Sequence, residues 1–173
     1  MVEQQFLQFV KSVDGYGISG TDTDDSIDDK SGYGLGCNIN ADQAHPLILA
    51  YIGDSVYEMF IRTRLLNSIQ TNVNRIHRAA VDYVRAASQA DIAHYIFEDL
   101  TEKEADIVRR ARNAKSGYVP KNADVVEYRY ATGFEALVGY LYLKHELKRL
   151  FEILNAAACR VESRNAANAV KCN

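Results

Sequence analysis

The sequence predicts an all-α protein, and three observations carry that prediction. Apolar residues recur at helical spacing through most of the stretch from Pro46 to Leu154, no run alternates apolar and polar as a half-buried strand does, and several stretches open on capping residues. With 173 residues and 47% hydrophobic content the chain can bury one full core, so one domain is expected.

Val2 to Val13 places Phe6, Leu7, Phe9 and Val10 for a short amphipathic helix. From residue 14 the character changes: Gly, Ser, Asp and Asn dominate and apolar residues stand alone. Residues 1–44 therefore read as an N-terminal helix followed by a flexible acidic insertion outside the core. Pro46 suits a first helical position, and the helix it opens is expected to reach Leu66, with a polar turn over Asn67 to Asn72. Asn72 or Asn74 can cap the next helix, which is expected to run unbroken through Ala80 and Ala87 toward Phe97. Its alanines favour helix and close packing.

Thr101-Glu102-Lys103-Glu104 has the spacing of a capping box, and the helix it opens carries Ala105, Ile107, Val108 and Ala111. Asp124 starts a second central helix that continues to about Leu143. Glu146 to Ala158 gives a last amphipathic helix through Leu147, Leu150, Phe151 and Leu154. Residues 161–173 are expected as a frayed tail, which leaves 45–160 as the folded body.

Two stretches in that body carry an acid where helix formation alone has no use for one. Asp54 lies in the apolar run Leu49 to Glu58, between a stripe of Leu47, Tyr51, Ser55 and Glu58 and another of Leu49, Gly53, Val56 and Phe60. Aspartate gains nothing from helix propensity, and burying it unpaired is costly. Either it pairs with Arg62, Arg64 or a backbone donor, or it holds a metal. Glu135 repeats the pattern in Tyr128 to Tyr140, where Ala131, Gly133, Ala136 and Gly139 would let another helix approach closely. Two lone acids on two close-packing helices point to one shared site. Asp91 is a third acid on a largely apolar helix, and a surface role and a site role both stay open for it.

Charge adds a second feature. The net charge of −3 hides an uneven distribution, because residues 14–29 hold six aspartates and no Lys or Arg, leaving 20 basic against 17 acidic residues elsewhere. A mildly basic body is compatible with a polyanion partner. Arg109, Arg110, Arg112, Lys115 and Lys121 continue from a helix end into a Gly-Pro loop with Asn113, Ser116 and Asn122 interleaved and no acid among them. That composition suits phosphate contacts better than a simple complement to the helix dipole. The three cysteines, Cys37, Cys159 and Cys172, are widely spaced with no C-x-x-C, and read as reduced thiols. No run spans a membrane and Met1 to Val13 has no signal-peptide pattern, so a soluble cytoplasmic protein is expected, an organelle staying open if a transit peptide has been removed.

Five separated stretches, taken in order, resemble the Mini-ribonuclease III family. They are Ala50 to Glu58, Ala87 to Asp91, Arg110 to Gly117, Pro120 to Val125 and Tyr128 to Leu137, and the resemblance covers about residues 45–155. It implies the helical endonuclease domain of ribonuclease III without a double-stranded-RNA-binding domain, forming a homodimer through the Asp54 helix. It also implies Asp54 and Glu135 as catalytic metal ligands, with Asp91 at the place of an auxiliary acid. Larger relatives carry further acids where this chain has Leu47, Ala50 and Thr132, so a metal here would keep more of its water shell.

The expected function is Mg²⁺-dependent hydrolysis of double-stranded RNA, with family membership pointing to the precursor of 23S ribosomal RNA. Carboxylates such as Asp54 and Glu135 suit that hard cation, while Arg110, Arg112, Lys115 and Lys121 are expected to grip the RNA backbone. The alternatives are a non-catalytic ribonuclease III-like protein that binds RNA or supports a ribosome, and a purely helical protein-interaction domain. The first has no need of the two acids, and the second no use for the charge run from 109 to 121.

Overall fold

The structure is a computed structural model that describes residues 39–68, 72–115 and 124–171. The Val2–Val13 helix, most of the acidic insertion, Ser116 to Ala123 with Lys121, and Cys37 and Cys172 lie outside the described residues. The described residues fold into six α-helices and one 3₁₀ turn, with no strand among them.

Helix α1, Pro46–Ser68, begins where proline's fixed φ and missing N–H cost nothing. His45 Nδ1 accepts from the Leu47 N–H at 3.3 Å, satisfying a donor that the first turn leaves open. Helix α2, Val73–Val84, is capped by the Asn72 side chain, which accepts from Asn74 N–H at 2.9 Å. Helix α3 spans Ala86–Ile96, and the 3₁₀ turn Phe97–Asp99 follows.

Helix α4, Glu102–Asn113, starts with the full capping box: Glu104 N–H donates to Thr101 Oγ1 at 3.3 Å, and Thr101 N–H to Glu104 Oε2 at 2.8 Å. Helix α5, Val125–Leu143, is capped by Asp124 Oδ1, which accepts from Val126 N–H at 2.7 Å and Glu127 N–H at 3.1 Å. The chain leaves α5 through His145 at φ 56°, with Glu146 N–H on Leu141 O and His145 N–H on Tyr142 O, both at 3.0 Å. That left-handed turn closes the open carbonyls and admits helix α6, Leu147–Lys171.

Helix α5 is the centre of the body, packed against α1, α3, α4 and α6. Its residues Ala131 to Phe134 and Ala136 to Leu141 are all buried, which is why it is apolar on every side and not on one stripe. Tyr57 of α1 meets Phe134 edge to face at 4.9 Å between centroids, and Phe60 meets Phe151 of α6 at 6.3 Å. The closest approach is between backbones. A Cβ on Gly53 would stand 1.7 Å from Glu135 O, and one on Gly139 2.0 Å from Leu49 O. Helices α1 and α5 thus cross with no side chain between them at those two points.

The structure differs from the sequence reading in two elements. The helix expected to run from Val73 toward Phe97 breaks at Arg85, whose ψ of 147° is extended. Ser88 explains how the break is tolerated: its hydroxyl donates to Asp82 O at 2.7 Å, replacing a lost backbone donor, and accepts from Arg85 Nε at 3.1 Å. The second difference is at the end of the chain, where α6 continues through the residues expected to fray. Val161 is fully buried there, and Glu162 and Arg164 are tied to other helices. The compact body also begins at Asn40, ahead of Pro46. Ala41 and Ala44 are buried, and Asp42 accepts from Tyr140 Oη at 3.0 Å and Lys144 Nζ at 2.9 Å.

The crossing sets a ranking of substitutions. Gly53→Ala and Gly139→Ala each put a methyl group inside a backbone atom and should destabilise the fold by about 3 kcal/mol or more. Gly133→Ala, whose Cβ would meet Val108 Cγ1 at 3.0 Å, should cost less because a side chain can give way. Denaturant midpoints of the three variants check the order.

Candidate active site

The crossing brings the two lone acids together. Gly53 lies on the carbonyl of Glu135, and Asp54 follows Gly53 directly, so the two carboxylates leave their helices at one level. Neither has a basic partner among the described residues. Arg62 is taken by Glu58, while Arg64 donates to Glu162 Oε1 at 2.9 Å and to Asn155 Oδ1 at 3.3 Å. The ion pair to Arg62 or Arg64 that the sequence left open for Asp54 is therefore not made.

Both acids resist ionisation. Burial pushes Glu135 up to about 8, the neighbouring Asp54 carboxylate adds to it, and the Gln89 amide lying against Glu135 opposes the rise. Asp54 reaches the surface and is raised by its partial burial and by Glu58. The mutual repulsion falls on Glu135, the more enclosed of the two. Two oxygen ligands that lack a cation on the protein fit a hard divalent ion, which would relieve both charges at once. No group of three His, Cys, Asp or Glu side chains is gathered to hold a metal among the described residues, so such an ion would keep several waters.

Asp91 is turned elsewhere. Arg160 grips it with two bonds, Nε to Oδ2 at 3.0 Å and Nη2 to Oδ1 at 2.8 Å, and Arg164 approaches at 3.5 Å. Arg160 holds the Asp91 carboxyl below its usual range. In this arrangement Asp91 ties α3 to α6, through Arg160 at the end of the expected body and Arg164 in the stretch expected to fray.

The basic residues are only partly gathered. Arg112 Nη1 donates to Tyr130 Oη at 3.1 Å and its guanidinium stands 5.2 Å from the Tyr130 ring centroid, whose other neighbour is the His94 ring at 4.0 Å. Lys115 is exposed beside a cavity of about 260 Å³ lined with Asn113, Tyr128, Arg129 and Thr132. Arg110 faces Asp106 on its own helix at 3.9 Å, and Lys121 lies outside the described residues. Gln89 is the residue the sequence reading passed over. It is 1% exposed, and a lone amide among the alanines of α3 was the signal that could have flagged it.

The chain carries the features of a ribonuclease III domain, and its residues 47–146 match the model of that family. It is 55% identical to Mini-ribonuclease 3 of Symbiobacterium thermophilum over 117 residues, 68% of this chain and 90% of that one. It is 50% identical to Mini-ribonuclease 3 of Thermoanaerobacter sp. (strain X514), over 68% of this chain and 82% of that one. A crystal structure of a Fusobacterium nucleatum protein superposes with a TM-score of 0.59 at 31% identity, covering 65% of this chain and 90% of that one. The chain belongs to the Mini-ribonuclease 3 family, a branch of the ribonuclease III endoribonucleases. No helix among the described residues is long and apolar enough to cross a membrane.

Glu135 fixes the sign of a pH dependence. Its carboxyl titrates near 4.5 when unfolded and near 8 when folded, so across that window the native state keeps a proton that the unfolded chain has lost. Its contribution to stability is full below the lower value and fades as pH rises through the higher one. In cation-free buffer Glu135→Gln should therefore gain melting temperature relative to the wild type as pH rises from about 5 to about 8. Melts of both proteins across that range check it.

Proposed function

We propose that this chain is a Mg²⁺-dependent endoribonuclease that cuts double-stranded RNA as a homodimer, with Asp54 and Glu135 as the catalytic metal ligands. The observation that carries the reading is the pair of cation-free carboxylates set at one level by the Gly53–Gly139 crossing. When bound, the ion supplies an acidified water, neutralisation of the scissile phosphate and stabilisation of the leaving oxygen. Asp54 and Glu135 would hold it and fix its position. Arg112 and Lys115, together with Lys121, contact backbone phosphates, and recognition is by the shape of the A-form duplex more than by base edges.

The homodimer reading has support on α1, where Tyr51 is 75% and Ile48 45% exposed on a face that no other helix among the described residues covers. A ribosomal RNA precursor as substrate, that of 23S RNA, and a cytoplasmic setting rest on family membership. The non-catalytic alternative keeps the fold and basic residues but has no reason to hold two uncompensated acids at one point. Their presence favours the enzyme.

Two experiments follow. Asp54→Asn and Glu135→Gln should each lower cleavage of a double-stranded RNA by roughly 100-fold or more with the fold intact, and the double variant should be hardly worse than either. Folded variants that still cut at the wild-type rate would sink the reading. For the basic residues, alanine at Arg112, Lys115 and Lys121 together should weaken RNA binding and reduce the slope of log affinity against log salt by about one per lost contact. An unchanged slope assigns them to the helix end instead.

A further inference from the structure

Gln89 stands on the buried face of α3 with Ala90, Ile92, Ala93 and Ile96, where an apolar side chain would pack without difficulty. Its amide lies against the Glu135 carboxylate, yet Nε2 completes no hydrogen bond of regular geometry within the described residues. A buried donor left in that state is expensive. The turns around it are not free to drift. Ser88 is bonded to Asp82 O and to Arg164 Nη2 at 2.7 and 2.8 Å, and Asp91 is gripped by Arg160. The polar ties on either side thus hold the Gln89 amide at the acid pair.

We propose that Gln89 is a positioning residue of the Asp54–Glu135 centre, its amide donating to the Glu135 carboxylate and holding it in the orientation that binds a divalent cation. This rests on the metal-centre reading above. A glutamate side chain has three rotatable bonds, and the crossing fixes only its backbone. Asp54 repels it toward other directions, and no Lys or Arg among the described residues is there to counter that. Among the described residues the Gln89 amide is the one side-chain donor shown against it, and as a neutral donor it can steer a carboxylate without competing with a cation for its charge. An arginine at that place would do the opposite. The unmet N–H on Nε2 is then a donor whose hydrogen bond is completed when Glu135 takes its working position. Outer-sphere donors of this kind change metal affinity by about 10- to 100-fold when removed.

The test uses the full chain with Gln89→Leu and Gln89→Met, which keep volume and remove the amide. Three quantities are read on each: the melting temperature without cation, the rise in melting temperature on adding Mg²⁺ or Mn²⁺, and the Mg²⁺ concentration giving half-maximal cleavage of a double-stranded RNA. We expect cation-free melting at or above the wild type, because an orphaned amide has gone. The half-maximal Mg²⁺ concentration should rise about 10-fold or more, and the cation-induced rise in melting temperature should shrink. A folded variant with the wild-type Mg²⁺ midpoint and the wild-type cation-induced shift overturns the proposal. So does a variant that melts lower and cuts less with an unchanged midpoint, or failure of both variants to fold, since each makes Gln89 a packing residue. Glu135→Gln run alongside separates the two levels. If it also keeps its Mg²⁺ response the metal reading itself fails, whereas if it loses that response while the Gln89 variants keep theirs, only the role of Gln89 does.

Discussion

Everything in this fold depends on two helices touching through their backbones. At Gly53 and Gly139 the surfaces of α1 and α5 are each other's peptide groups, with a virtual Cβ on either one falling 1.7 to 2.0 Å from a carbonyl oxygen of the other helix. Glycine inside a helix costs about 1 kcal/mol relative to alanine, so two of them weaken the isolated helices. The return is geometric. With side chains between them two helices sit 8 to 10 Å apart, and side chains leaving at one level would then diverge. Contact at Gly53 places the residue after it beside the residue whose carbonyl it covers, and these are Asp54 and Glu135.

The charge pattern of the rest of the body shows that this pair is not an accident of composition. Among the described residues, the other buried or half-buried acids all face a cation: Asp42 has Lys103 and Lys144, Glu58 has Arg62, Asp91 has Arg160, Glu104 has Arg149, and Asp106 has Arg110. Glu135 has none. The consequence is visible in opposite shifts on the same chemistry, since Asp91 is held below its usual range by Arg160 while Glu135 is raised by burial and Asp54. A carboxylate enclosed without a counter-charge is a standing cost. An external cation bound at the pair would offset that cost, and perturbed groups of this kind gather where function is carried.

What could be read from the sequence follows from how local each cause is. The capping box at Thr101 and Glu104 and the caps at Asn72 and Asp124 act within four residues, and all are where their side chains put them. The meeting of Asp54 and Glu135 was legible because a lone acid in an apolar helix and a row of small residues are each local, and the two had only to be joined. Longer-range causes were not visible. The break at Arg85 needs Ser88 to serve a carbonyl six residues back, and the persistence of α6 past Val161 needs partners on α1 and α3, namely Arg64 for Glu162 and Ser88 and Asp91 for Arg164. The ion pairs of Asp91 were hidden for the same reason: Arg160 and Arg164 lie far along the chain, the second of them in a stretch expected to fray. Gln89 escaped notice because an amide has no charge to betray its burial.

Helix α1, which carries Asp54, is fixed at three places along its length, and the fixing points differ in kind. At its start Asp42 takes Tyr140, Lys144 and Lys103, from the residue after Gly139 and from α4, and hydrogen bonds from Lys144, Lys103 and Tyr140 hold its carboxyl down to about 2. Protonation would release that tie only in strong acid. At its far end Arg64 reaches Glu162 and Asn155 on α6. Exposed pairs add little to stability, screened as they are by water and salt, so neither end tie accounts for the fold. Their effect is on direction. A helix in backbone contact at its middle can still roll about that contact, and a roll would swing Asp54 away from Glu135 while leaving the core packed. Ties to α4 and α5 at one end and α6 at the other oppose rotation in both senses, and this converts a close crossing into a fixed separation between two carboxylates.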